Sequence, residues 1–154
     1  RASKYLYIFT PYLILDDFMR TALCNAAKRG VDVRIVTPGI PDKKMVFRLT
    51  RSNYAPLMKS GVKIYEYTPG FIHAKSMVCD DEAAVVGTIN LDYRSLYLHF
   101  ENAVYFSHCD AVAAVKQDGE DVFAVSKRMT IEDTRQTFIG KLVDSVLRVF
   151  ETLL

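Results

Sequence analysis

The chain has 154 residues, the length of one domain with a single sizeable core. Half of it is hydrophobic and a quarter charged, as in an ordinary globular protein, and a net charge of +2 excludes charge as an argument for nucleic acid or an anionic membrane. The three cysteines, Cys24, Cys79 and Cys109, form no short-spaced metal pair and no legible disulfide framework, so they read as inert thiols.

In chain order, Lys4 to Thr10 alternates aromatic and β-branched residues with polar ones and is closed by Pro11, the pattern of a strand. Asp16 and Asp17 open a helix whose apolar positions Phe18, Leu23, Ala26 and Ala27 recur at helical spacing, and Lys28, Arg29 and Gly30 end it. Val31 to Thr37 is a second strand, stopped by Pro38 and Gly39. A helix is expected from about Asp42 to Ser60, ended by Gly61, followed by a third strand from Val62 to Thr68. Strand–helix–strand–helix–strand with short connections implies crossover units and a largely parallel sheet. After Gly70 the pattern changes. His73 to Asp80 and Ala83 to Thr88 read as strands joined by an acidic turn, Asp80-Asp81-Glu82, and a further strand is expected from about Leu98 to Phe106. The remainder reads as helical, with a break near Met129 and Thr130 and a C-terminal amphipathic helix within residues 131–154. No apolar run approaches the ~20 residues of a membrane span, and nothing in the run reads as a signal peptide. Entry into a strand almost directly after Arg1 gives the expectation of a piece cut from something longer.

The chemistry concentrates between His73 and Asn90. On a strand, residues two apart leave the same face, so His73 and Lys75 would point together. Phosphoryl transfer needs a positioned nucleophile and cations aimed at the phosphoryl oxygens. An imidazole, with an unperturbed pKa of about 6.5, is a competent nucleophile near neutral pH, and an ammonium stabilises the developing charge. Gly87-Thr88-Ile89-Asn90 adds a hydroxyl and a carboxamide two apart, both able to donate to a phosphate oxygen; the competing reading is a strand end and turn. Asp80 falls an odd number of residues after His73, which would turn it away from the phosphate side and make it a structural acid near the turn. Glu101 is a candidate orienter of His73 from the following strand, or an exposed strand carboxylate.

These residues resemble the signature of the phospholipase D superfamily: His73, Lys75, Asp80, Gly87, Thr88 and Asn90 supply every element of His-x-Lys, Asp, and Gly-Ser/Thr-x-Asn. The longer runs TPYLILDD, YTPGFIHAK and NLDYRS, with the closing LVDSVLRVFETLL, look like the C-terminal half of bacterial cardiolipin synthases, so that nearly the whole chain is covered. The resemblance implies an α-β-α sandwich with a mixed, largely parallel central sheet in one domain, residues 1–154. It implies a phosphatidyltransferase working through a phosphohistidine, without metal or organic cofactor, that joins two phosphatidylglycerol molecules into cardiolipin and releases glycerol. Carried over by position, His73, Lys75 and Asp80 are catalytic, Thr88 and Asn90 bind the substrate phosphate, and Glu101 positions the histidine. Arg51 and Tyr12 are weaker pocket candidates.

One departure is large. The enzymes resembled carry two signatures, whereas here His99 is followed two residues on by Glu101, and His108 by Asp110. The implied partners are therefore the N-terminal catalytic half of the same enzyme or a second copy, together with phospholipid and a membrane surface but not nucleic acid. The implied location is the bacterial cytoplasmic membrane through the parent protein, with this fragment itself soluble and by itself inactive. The alternatives are a homodimeric single-signature phosphodiesterase or nuclease, and an inactive partner-binding module. The closing helix, with apolar stripes through Phe138, Leu142, Val146, Val149 and Leu153, fits packing on the domain or its missing half better than a membrane interface, because basic residues do not dominate its polar side.

Overall fold

The computed structural model describes residues 2–135 and 137–149. The chain begins with β1 (Tyr5–Phe9), α1 (Asp17–Lys28), β2 (Asp32–Pro38), α2 (Lys44–Ser52), α3 (Tyr54–Lys59) and β3 (Lys63–Tyr67). There follow β4 (Ser76–Cys79), β5 (Ala83–Gly87), a π-helical turn (Arg94–Leu98), β6 (Ala103–Ser107), α4 (Asp110–Ala124), β7 (Ser126–Arg128) and α5 (Phe138–Val149). One seven-stranded sheet runs in the order β6-β5-β4-β1-β2-β3-β7.

Alternation along β1 builds the two interiors. Ile8, on one face, joins Val33, Ile35 and Ile64 against Leu23 and Ala26 of α1 and Tyr54 and Leu57 of α3. Tyr5, Tyr7 and Phe9, on the other, pack with Val36 and Val78 against Val112 and Phe123 of α4. This is the expected α-β-α sandwich. The sheet is mixed as expected, but only β1–β2 and β2–β3 are parallel, so "largely parallel" is corrected: the other four pairings are antiparallel. The reason lies in the connections. Among strands that lie side by side, helical crossovers join only the first three, while β4 and β5 are joined by a tight turn that permits only antiparallel pairing.

Local chemistry explains most element ends. Asp16 caps α1 by accepting from the Met19 amide at 2.6 Å, and Gly30 follows at φ +94°, where the missing Cβ lets the helix end without strain. Phe18 is 80% exposed rather than part of the packing stripe, because it lies about 140° around the helix from buried Leu23. The single helix expected over 42–60 is two. Pro56 has no N–H and cannot sit in the middle of a continuous helix, but it fits the first turn of α3. Buried Asn53 occupies the break and donates its amide to the carbonyls of Leu13 and Leu49, both at 3.1 Å.

Three further boundaries moved. The strand expected from His73 begins only at Ser76, and the strand expected from Leu98 begins only at Ala103. The three-residue β7 had no sequence signal: Ser126-Lys127-Arg128 lacks apolar alternation, and its strand character comes from pairing with the edge of β3. At the C-terminus, residues 132–134 form a short 3-10 turn and α5 starts at Phe138, not residue 131; the part of the expected helix over residues 150–154 lies outside the described residues. Arg48 of α2 bonds the Asp144 carboxylate at 2.6 Å and the Gly140 carbonyl at 2.9 Å, and Leu147 packs beside Ile14, Val46 and Leu49, so α5 lies on α2. Among the described residues no helix is long and apolar enough to cross a membrane.

Candidate active site

All but one of the signature residues gather where β1 ends. Phe9, the last residue of β1, pairs with Ser76, the first of β4, so the segment just before β4 lies beyond the carboxyl end of a parallel strand. There β1 has a parallel neighbour on one side and an antiparallel one on the other, the kind of position at which open α/β sheets place ligands. His73 and Lys75 belong to this extended segment and not to β4 itself, so strand parity does not fix their directions. Geometry of another kind does. The Lys75 ammonium donates to the His73 carbonyl at 2.8 Å, and the Lys75 carbonyl accepts from the Gly87 amide at 3.1 Å, which carries the β4–β5 pairing into the site. The exposed His73 ring stacks on Phe71, with centroids 5.5 Å apart. Burial pushes the Lys75 pKa down, only partly offset by the carboxylates of Glu101 and Asp92.

Thr88, Asn90 and Glu101 arrive from across β5. Thr88 and Asn102 exchange bonds: the Thr88 amide donates to the Asn102 carbonyl at 2.9 Å, and the Asn102 amide donates to the Thr88 hydroxyl at 3.0 Å. This clamp brings Glu101 beside Thr88, whose hydroxyl donates to the Glu101 carboxylate. Hydrogen bonds from Thr88, then Ser95, hold Glu101 below the usual carboxylate range. Glu101 therefore sits two residues before β6, not in a strand. Its nearest imidazole contact is His99, with Nδ1 3.9 Å from a Glu101 oxygen, and no hydrogen bond joins it to His73. Asn90 donates its amide to the Ser95 hydroxyl at 3.1 Å, and its buried carbonyl oxygen has no donor among the described residues. The Asn90 loop is held to the end of β1 by Leu91, whose amide donates to the Thr10 hydroxyl at 3.0 Å.

Gly87 is where the clamp needs an absent side chain. A Cβ there would lie 2.3 Å from the Asn102 carbonyl oxygen and 2.5 Å from the Ala103 Cα. Both are backbone atoms and cannot step aside. Gly87→Ala should cost about 2–3 kcal/mol, read as a lowered urea midpoint, because β5 and β6 must part exactly where Thr88 and Glu101 meet. An unchanged midpoint would mean that the close approach is not maintained.

Residues 1–122 match the family described as cardiolipin synthase, phospholipase D-like domain. The chain belongs to that family. It is 50% identical over its whole length to a protein of Streptococcus mutans and 39% identical over 99% of its length to a Geobacillus cardiolipin synthase. A cardiolipin synthase 2 of Bacillus anthracis is 38% identical over 99% of the chain. The chain spans about a third of the length of these relatives: 34%, 31% and 30%. In fold it is similar to Nuc of Salmonella typhimurium, a phospholipase D family member (TM-score 0.72, 19% identity, 83% of each chain). It is also similar to the phosphatidylserine synthase of Haemophilus influenzae, with TM-score 0.80 and 16% identity over all of this chain and 42% of that one.

In this phospholipase D-like domain the remaining signature residue lies apart from the others. Asp80 sits at the far end of β4 from Lys75, buried in the turn to β5, where it and Asp81 adopt φ of 56° and 62° and Glu82 closes the turn by donating to the Cys79 carbonyl at 3.0 Å. Its carboxylate accepts from the amides of Ser3, Lys4 and Tyr5 at 2.7–2.9 Å and from the Ser3 hydroxyl at 3.0 Å. Of the weaker candidates, Arg51 is held by a two-pronged pair with Glu66, both contacts at 2.7 Å, whereas Tyr12 does line the cleft beside Asn90. The sequence reading missed Ser95, the partner of both Asn90 and Glu101. It lies five residues past Asn90 within NLDYRS, and its place depends on the π-helical turn, which leaves no periodic mark on the sequence.

Proposed function

We propose that this domain is one catalytic half of a cardiolipin synthase and that His73 is its nucleophile. The observation that carries the reading is the convergence of an exposed imidazole, a half-buried ammonium and the Thr88–Glu101 and Asn90–Ser95 pairs at the end of β1. An imidazole nitrogen attacks the phosphorus of one phosphatidylglycerol. The phosphorus–nitrogen bond forms as the bond to the glycerol oxygen breaks, and a histidine of the complementary half supplies the proton to the departing glycerol. The hydroxyl of a second phosphatidylglycerol gives its proton to that histidine, now neutral, as its oxygen bonds to phosphorus and the bond to the imidazole nitrogen breaks, yielding cardiolipin. Lys75 stabilises the charge that gathers on the phosphoryl oxygens, and a phosphate facing it restores the ammonium that burial disfavours. Glu101, kept ionised by Thr88 and Ser95, supplies negative charge that stabilises the cationic form of the site.

The chain brings one signature histidine, so the acid comes from the N-terminal half of the enzyme or from a second copy. The membrane enters through the rest of the protein and through the lipid substrate. The test uses labelled phosphatidylglycerol with the full-length synthase in membranes and with the isolated domain. A full-length enzyme with Lys75→Ala should lose about 10²–10³ in kcat, the scale of one transition-state charge contact. The isolated domain should turn over at least ~10²-fold more slowly, because half of an acid–base pair is missing. Full activity in an isolated monomer would overturn the half-site reading. Activity confined to a dimer of the domain would assign the second histidine to another copy.

A further inference from the structure

Four side chains of the site form one line of hydrogen bonds. The Asn90 amide donates to the Ser95 hydroxyl at 3.1 Å, Ser95 donates to the Glu101 carboxylate, and the Thr88 hydroxyl donates to the same carboxylate. Ser95 joins the two ends of this line and is 6% exposed. Its place does not depend on its own hydroxyl. The Ser95 amide donates to the Asp92 carboxylate at 2.7 Å, and the Leu96 amide to the Asp92 carbonyl at 3.1 Å, which together hold the start of the π-helical turn. The loop before it is tied to the segment after β1, because the Ile14 amide donates to the Leu91 carbonyl at 2.8 Å.

Proton count fixes the direction of each bond. A serine hydroxyl carries one proton, and an ionised carboxylate only accepts. The Ser95 proton therefore belongs to Glu101, which leaves the Ser95 oxygen as an acceptor. Asn90 must then turn its NH2 group toward Ser95 and its carbonyl oxygen away, and that oxygen has no donor among the described residues. The two ends of a carboxamide are nearly alike in shape, so a polar partner of this kind is what selects one orientation over the other. Asn90 and Ser95 both line the cleft, so the selection decides which atoms Asn90 turns to a phosphate bound there. The charged groups that face Glu101 are the Lys75 ammonium, from the segment before β4, and the His99 imidazole, from its own loop.

We propose that Ser95 is a positioning residue of the transfer site, a relay that sets the orientation of the Asn90 carboxamide according to the charge on Glu101. The inference rests on the transfer reading above and adds to it a residue and a coupling. While Glu101 is ionised, Ser95 accepts from Asn90 and the carboxamide has one direction. When Glu101 is neutral or absent, the Ser95 hydroxyl is free to turn and that direction is lost. Asn90 and the negative charge beside Lys75 thereby act as one unit, because both pass through a single hydroxyl. Thr88 cannot do the same. Its hydroxyl bonds Glu101 and the backbone of Asn102, and it reaches no further side chain among the described residues.

The test uses Ser95→Ala, which keeps the backbone bonds of the turn, Glu101→Ala, and the two together. In NMR spectra of this chain, Ser95→Ala should speed exchange of the Asn90 side-chain NH2 protons with water ~10-fold, the scale of one lost hydrogen bond. The Glu101 carboxyl should titrate at higher pH in that variant, since one of its two hydroxyl donors is gone. Glu101→Ala should also speed Asn90 exchange although it does not touch Asn90, a reading that remains if Ser95→Ala fails to fold. In the full-length synthase, Ser95→Ala should lower kcat/KM for labelled phosphatidylglycerol ~10-fold, the scale of a hydrogen bond to a charged group. In a Glu101→Ala background the further loss should shrink to about threefold or less, because the relay is already broken. Asn90 exchange unmoved by Glu101→Ala, an unmoved Glu101 titration, or an equal fold-loss with and without Glu101 would each overturn the relay. The NMR readings need no turnover, so they judge the relay even where His73 proves not to be the nucleophile.

Discussion

His73→Ala in the full-length synthase should lower cardiolipin formation by about 10⁴-fold or more, the cost of removing a covalent nucleophile. The fold should not notice. The ring is exposed, stacks only on Phe71 and makes no hydrogen bond among the described residues, so the stability change should stay within about 0.5 kcal/mol. The backbone carbonyl that receives the Lys75 ammonium survives the substitution, which keeps the clamp on that side chain. Turnover and thermal midpoint therefore separate cleanly. Rapid quenching with labelled phosphatidylglycerol should trap an acid-labile adduct on the unsubstituted enzyme and none on the variant. Synthesis within tenfold of normal would remove His73 from the chemistry, and an adduct persisting without it would move the nucleophile to the complementary half.

The second large effect is on stability, and it belongs to Asp80. Asp80→Ala should cost about 3 kcal/mol, or roughly 6–12 °C in Tm, because the amides of Ser3, Lys4 and Tyr5 lose their common acceptor in a buried turn. Burial alone would raise the Asp80 pKa. The bonds from Tyr5, Ser3 and Lys4 outweigh it and bring the value from 3.8 down to about 2. A depressed folded-state value means the stabilisation is fully present above pH 4 and is lost as pH falls toward 2. The shift corresponds to roughly 2 kcal/mol. Other carboxylates titrate in the same range, so the informative quantity is the difference between wild type and Asp80→Asn in urea, measured from pH 5 to pH 2.5. That difference should shrink as the pH drops. A constant difference would mean that Asp80 contributes through shape and not through charge. Since Asp80 ties β4 to the start of β1, the same variant should lose activity only in proportion to the unfolded fraction.

What the sequence determined by itself was local or compositional. The alternation in KYLYIFT fixed both interiors, because residues two apart on β1 face the same helical layer. Asp16 and Gly30 marked the ends of α1, and the acidic turn at Asp80 gave the hairpin, since each depends on a few neighbouring residues. The spacing of His73, Lys75, Thr88 and Asn90 pointed to the candidate site, because residue type survives any rearrangement of the backbone around it. Tertiary structure decided the rest. Whether strands pair in parallel depends on which elements become neighbours, so the antiparallel pairings other than the β4–β5 hairpin escaped a reading built on the first three strands. The three residues of β7 became a strand only by meeting the edge of β3. Strand parity did not describe His73 and Lys75, because they precede β4; a carbonyl–ammonium bond and the pairing of Lys75 with Gly87 position them instead. Glu101 met Thr88, Ser95 and His99 through a π-helical turn whose geometry has no repeat to read. The cleft beside Asn90 is assembled from four segments distant in sequence, and long-range contact of that kind is what no local pattern encodes.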